Sequence, residues 1–115
     1  MIKEVVFDID DTLYDYEKGH ALGVERMAEY AEKELGIAKA YFRSEYKRMN
    51  EELKVRLGKD DAATNSRSIR LQNLLEQWGK PLFPHVEKLY HLYWDALLAE
   101  SKAEPGSIEA IRALR

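Results

Sequence analysis

The sequence predicts a mostly α chain, one strand followed by a four-helix bundle, in which the strand belongs to an α/β parent fold. Three observations predict it. Ile2 to Ile9 is a short, β-branched, apolar run around Val5-Val6-Phe7, the kind that lies buried on both faces of a sheet. After Tyr16, apolar residues recur at steps of three and four, punctuated by Gly36, Gly58 and Gly79. Between these parts stand Asp8, Asp10, Asp11 and Asp15, with Thr12 among them, where a strand normally gives way to a neutral turn. So much negative charge at one strand end is costly unless a cation or a reacting group uses it.

The elements follow in order. Ile2 to Ile9 is the only strand. The first helix runs from Glu17 to Leu35, with Ala21, Val24, Ala28, Ala31 and Leu35 on one face and Gly36 as its stop. The second runs from Ala38 to Leu57 on Phe42, Tyr46, Met49, Leu53 and Leu57, and Gly58 follows. Lys59 to Thr64 is a polar connector. The third, Ser66 to Trp78, carries Leu71, Leu74, Leu75 and Trp78, and is broken by Gly79 and Pro81. Pro84 suits the first position of a fourth helix reaching Glu100, with Val86, Leu89, Tyr90, Tyr93, Trp94 and Leu97 inward. Ala103-Glu104-Pro105-Gly106 is a linker, and Ser107 is positioned to cap a last amphipathic piece through Ile108, Ile111 and Leu114. Short connections make the four-helix bundle largely antiparallel.

A single strand leaves backbone groups unpaired on both edges. A last helix of about nine residues is marginal by itself in water. The sequence is therefore expected to be the N-terminal part of a longer protein that supplies the neighbouring strands.

Composition narrows the function classes. The chain has 115 residues and a net charge of −3, from 18 basic and 21 acidic residues, with no basic tail or stripe. Binding of nucleic acid through phosphate neutralisation has little support. There is no cysteine, which excludes disulfides and thiolate metal sites. No apolar run approaches ~18 residues, and the N-terminus does not read as a signal peptide, so no membrane partner is expected and the cytoplasm is the default.

The acidic cluster carries the chemistry. On an extended backbone Asp8, Asp10 and Thr12 point to the same side. At the carboxyl end of a strand they converge where open α/β sheets bind ligands. A carboxylate can attack phosphorus and form an aspartyl-phosphate. A second carboxyl group can protonate the leaving oxygen and then take a proton from water. A hydroxyl can hold phosphoryl oxygens or orient a carboxylate. Carboxylates meeting a phosphate dianion need a cation, and hard oxygen donors favour Mg²⁺.

Val5-Val6-Phe7-Asp8-Ile9-Asp10-Asp11-Thr12-Leu13 resembles the first motif of the haloacid dehalogenase-like superfamily, an apolar strand followed by Asp-x-Asp-x-Thr. The resemblance implies a Rossmann-type core. It makes Asp8 the nucleophile and a side-chain ligand of Mg²⁺. Asp10 becomes the general acid/base and a carbonyl ligand of Mg²⁺, and Thr12 fills the hydroxyl position. An aspartate at position 10 points to phosphoryl transfer rather than dehalogenation. Residues 1–14 would then be the first core strand and motif, 15–103 a helical cap inserted after it, and 104–115 the return linker and the start of the next core helix. The later motifs of the family (a Ser/Thr, a lysine and a distal acidic pair) are not found within these residues, so the 115 residues alone are expected to be nearly inactive. The function implied is a Mg²⁺-dependent phosphomonoester hydrolase acting on a small phosphorylated metabolite. A phosphomutase with the same motif is one alternative. Another is a non-catalytic helical interaction module.

Ordinary roles compete at each further residue. Asp11 and Asp15 alone read as helix N-caps. The tyrosines and tryptophans read first as bundle core, although Tyr14 and Tyr16 flank the cap and could touch substrate. Arg67 and Arg70 could reach a charged end of the substrate or line a solvated face. Lys47-Arg48 and Glu51-Glu52 read as surface charge paired along the helix. His20, His85 and His91 have no metal-ligand spacing with acidic partners.

Overall fold

The computed structural model describes residues 1–115. It contains α1 (Tyr16–Leu35), α2 (Lys39–Leu57), α3 (Arg67–Gln77), α4 (His85–Glu100) and α5 (Ser107–Ala113), and no strand. Helices α1 to α4 close a ring: α1 packs on α2, α2 on α3, α3 on α4, and α4 back on α1 in the most extensive contact of the four. None of the helices is long and apolar enough to cross a membrane.

The expected stripes build this ring. α1 starts where the Asp15 side chain accepts a hydrogen bond from the Lys18 amide at 3.2 Å. It stops at Gly36, whose φ of 69° is left-handed and costs glycine nothing. The core joins Met27, Ala28, Ala31 and Leu35 of α1, Phe42, Tyr46, Met49 and Leu53 of α2, Leu71, Leu74 and Leu75 of α3, and Leu89, Tyr93 and Leu97 of α4. Each fully buried leucine contributes roughly 1.5–3 kcal/mol through removal of its apolar surface from water. The connector after α2 is pinned by Thr64, a buried hydroxyl that donates to the Gly58 carbonyl at 2.6 Å.

Several expectations need correction. Ile2 to Ile9 is not a strand. A strand is held by its neighbours, and the only β contacts are two single bridges, Asp10 with Tyr14 and Tyr14 with Ala103. Ile2 and Val6 are accordingly 82% and 93% exposed. The N-terminal segment lies instead beside α5, where Ile2, Val5 and Phe7 share a shallow groove with Ile111 and Leu114. Ala21 and Leu57 face solvent rather than the core. Pro84 is the residue before α4 and not its first turn. Ser107 is the first residue of α5, preceded by Gly106, and makes no capping bond.

The inward face of α1 is rotated from the expected one because it includes two glycines. Gly19 and Gly23 are buried against α4. A Cβ added at Gly23 would come within 2.6 Å of a Tyr93 ring carbon, and one at Gly19 within 3.2 Å of the Leu97 carbonyl oxygen. These glycines let α1 and α4 approach closely enough for the Tyr93 ring to lie between them.

Gly23→Ala should therefore destabilise the protein although alanine is the better helix former. The propensity gain of about 1 kcal/mol is opposed by overpacking of roughly 1–3 kcal/mol against a ring held on several sides. Thermal unfolding followed by circular dichroism should show a lower midpoint, and a raised midpoint would mean that the helices separate freely.

Candidate functional site

The acidic segment is a turn, and the turn sorts its carboxylates. The Ile9 carbonyl accepts from the Thr12 amide at 3.2 Å and the Leu13 amide at 3.0 Å. Asp11 takes the left-handed conformation, φ 57°, which aspartate tolerates better than most residues. Its Oδ1 accepts from the Tyr16 amide at 2.8 Å and the Glu17 amide at 3.3 Å. Asp11 and Asp15 thus satisfy free amides of the first turn of α1, where negative charge is also favoured by the helix dipole.

Asp8, Asp10 and Thr12 do not share one side as an extended backbone would place them. The turn folds Thr12 back, and its hydroxyl donates to Asp8 Oδ2 at 3.2 Å. Asp10 Oδ1 instead accepts from the Tyr14 hydroxyl at 2.6 Å. That hydrogen bond, followed by burial, holds the Tyr14 hydroxyl up to about 12. Both aspartates are exposed. Beside them the chain leaves for the bundle and returns. Tyr14 bridges Ala103 in antiparallel fashion, and the Glu104 amide donates to the Leu13 carbonyl at 2.8 Å.

Asp10 and Tyr14 form one side of a cavity of about 670 Å³ whose other walls come from the bundle. Tyr16, Arg67 and Arg70 lie on the same cavity; Asp8 and Thr12 do not. Arg67 donates to the Tyr16 hydroxyl at 2.7 Å and the Tyr93 hydroxyl at 2.6 Å. Its guanidinium carbon lies 4.2 Å from the Tyr93 ring centre and 4.8 Å from that of Trp94. Arg70 is only 7% exposed. It donates to Asn50 Oδ1 at 2.5 Å and lies 4.8 Å from the centre of the Tyr46 ring.

His20 belongs to the same network, with Nδ1 at 2.6 Å from the Tyr93 hydroxyl. Arg67 already donates to that oxygen, so the hydroxyl proton is free to point at Nδ1, which then accepts. Burial, then the positive charge of Arg67 and Arg70, lowers the pKa of His20 below the ordinary 6.5. Burial, then the bond to Tyr16, raises that of the Tyr93 hydroxyl.

For a metal, the turn offers Asp8, Asp10 and backbone carbonyls, all hard oxygen donors suited to Mg²⁺. No three His, Asp or Glu side chains gather into a cage. Such a donor set suits a cation that keeps several waters.

Sequence reasoning missed His20, Lys47, Asn50 and Tyr93 as parts of the cavity network. Lys47 is exposed and Tyr93 is core, as expected, but Lys47 also lines the cavity and the Tyr93 hydroxyl joins its network. A signal was present in the spacing of Lys47, Asn50 and Lys54, at three and four residues on one face of α2, matched by Arg67 and Arg70 on α3. The surface reading does describe Arg48, which pairs with Glu45 at 2.8 Å and with Glu52 at 2.5 Å.

The lowered pKa of His20 makes stability depend on pH. The unfolded chain binds a proton near pH 6.5 that the folded chain resists. Stability from this group is present above about pH 6.5 and falls as the pH drops below it. Thermal midpoints measured from pH 7.5 to 5 should fall more steeply for the native protein than for His20→Gln. Equal slopes would remove His20 as their source.

No curated protein and no solved structure matches the chain. One family does match, and over almost the whole sequence: the model of the haloacid dehalogenase-like hydrolases covers residues 2–115. That span includes the acidic turn, the bundle and the return to α5, so the chain belongs to the haloacid dehalogenase-like hydrolase family.

Proposed function

We propose that the protein is a Mg²⁺-dependent phosphomonoester hydrolase that acts on a small phosphorylated metabolite through an aspartyl-phosphate. The observation that carries this reading is the place of Asp10, the acid/base position of the motif, on a cavity shared with Tyr14, Tyr16, Arg67 and Arg70. In this mechanism an Asp8 oxygen bonds to phosphorus as the bond to the substrate oxygen breaks, and Asp10 gives that oxygen a proton. Water then attacks the phosphorus of the aspartyl-phosphate. Asp10 takes the water's proton, and phosphate leaves with Asp8 restored. The Thr12 hydroxyl, already on Asp8, orients the attacking carboxylate. Mg²⁺ held by Asp8 and Asp10 would offset the repulsion between carboxylate and phosphate dianion.

The domain division fits the same reading. Residues 1–14 and 104–115 act as core, and 15–103 as the cap. Support comes from the crossover, where Tyr14 and Ala103 are bridged and both chain segments pass side by side. The apolar side chains of the N-terminal segment and α5, among them Val6, Ile9, Ile108 and Leu114, are exposed, whereas the buried core of the bundle lies within residues 15–103.

The test is phosphate release from a panel of phosphomonoesters by the protein expressed from its complete gene, with Mg²⁺ and with chelator. Asp8→Asn should abolish release, because an amide is a poor nucleophile. Asp10→Asn should slow it by about 10²-fold or more, the usual scale of lost acid/base catalysis. Near-normal, Mg²⁺-dependent hydrolysis by Asp8→Asn would sink the nucleophile assignment. No hydrolysis of any ester by the native protein would favour a binding role for the bundle.

A further inference from the structure

The part of the cavity lining that comes from the bundle carries positive charge that the protein leaves unanswered. Arg67, Arg70 and Lys47 line it, and none of them has a carboxylate within ion-pair distance. The other cations of the lining are neutralised: Arg43 pairs with Glu25 at 2.7 Å and Lys54 with Glu51 at 2.8 Å. Arg70 is 7% exposed, yet its partners are an amide oxygen and an aromatic ring. A buried guanidinium without a counter-charge is destabilising, so its retention points to a ligand that supplies the charge.

A second observation gives the ligand's hydrogen-bonding character. Five buried polar side-chain atoms have no partner: Trp78 Nε1, which is not on this cavity, and four others, Tyr46 Oη, Arg67 Nε, Arg70 Nε and Trp94 Nε1. All four residues line this cavity, and all four atoms carry a proton to donate. A water can answer one or two donors, but it does not neutralise a guanidinium. Unanswered cations and unanswered donors around one cavity ask for the same thing, an anionic group rich in acceptor oxygens.

We infer that the cavity binds a second anionic group of the substrate, a carboxylate or a second phosphate, held by Arg70, Arg67 and Lys47 while the ester phosphate reacts at the motif. The substrate class is thus a small phosphomonoester whose leaving group is itself anionic. The inference rests on the hydrolase reading for the reacting phosphate, but equilibrium binding tests it separately. Charge-assisted hydrogen bonds to such a group typically tighten binding by about tenfold or more.

The experiment is calorimetric titration of the Asp8→Asn protein, which prevents turnover, with three probes in Mg²⁺ at low salt. Glycerol 1-phosphate has one anionic group, 3-phosphoglycerate adds a carboxylate, and propane-1,3-diol bisphosphate adds a phosphate. One or both doubly anionic probes should bind at least about tenfold more tightly than glycerol 1-phosphate, and the stronger identifies the group. Arg70→Gln should remove most of that gain. Because Arg70 is buried, Lys47→Gln at an exposed position serves beside it, and should reduce the gain without changing the thermal midpoint. Equal binding of all three probes, or a gain that survives both substitutions, would overturn the inference. Phosphate release by the native protein, measured in parallel, separates the two ideas. A binding gain without hydrolysis defeats only the hydrolase reading; hydrolysis without the gain defeats only the anion subsite.

Discussion

The Tyr93 hydroxyl is the point through which the bundle and the cavity depend on each other. Its ring fills the space left by Gly23 of α1, where a single added carbon would come within 2.6 Å. Its oxygen accepts from Arg67 of α3 and reaches His20 and Tyr16 of α1. Three helices therefore meet at one side chain on α4. A buried hydroxyl so engaged is strongly constrained, because each lost partner would leave a polar group without water or protein to answer it. The same node places the Arg67 guanidinium over the Tyr93 and Trp94 rings and holds it on the cavity wall. Packing of α1 on α4 and the shape of the cavity are thus one arrangement.

The distribution of ion pairs follows a consistent division. On the outer surface, carboxylates and bases are matched along α2, as with Arg48 between Glu45 and Glu52. Such exposed pairs contribute little to stability, commonly about 0–1 kcal/mol. On the inner wall the arginines are matched to neutral groups instead, an amide, hydroxyls and aromatic faces. Those partners hold a guanidinium in place without cancelling its charge. Low effective dielectric makes that remaining charge act further than it would in water. Asp10 and Tyr14 line the same cavity.

Much of this was legible in the residues. The bundle was, because four amphipathic stretches with glycine stops leave few other ways to bury their stripes. The α1 face was legible only in part: Ala28, Ala31 and Leu35 are buried as expected, but a glycine seam has no apolar signal, and Gly19 and Gly23 matter through what they omit. The N-terminal run reads as a strand, yet its β-branched composition expresses only a preference. Pairing decides a strand, and Ile2 to Ile9 has no partner ladder here. Arg67 and Arg70 were visible as candidates by their spacing, but their burial depends on α2 and α4, which no local pattern encodes. Lys47 is surface charge like Arg48 beside it, and its place on the cavity is hidden for the same reason.

The turn adds a geometric condition on the chemistry. Asp8 and Asp10 are two residues apart but have different neighbours, a threonine hydroxyl outside the cavity for one and the Tyr14 hydroxyl on its wall for the other. Two carboxylates with different surroundings can take different roles, which a nucleophile and an acid/base require. The Tyr14 bond at 2.6 Å occupies one of the Asp10 oxygens that would handle the proton. A leaving-group oxygen must then either use the free oxygen or displace Tyr14. Tyr14 is also bridged to Ala103 at the crossover, so its position reports how the bundle sits on the motif. In this arrangement Asp10 is linked through Tyr14 to Ala103, where the chain returns from the bundle, and Asp10 and the basic residues of the bundle line one cavity.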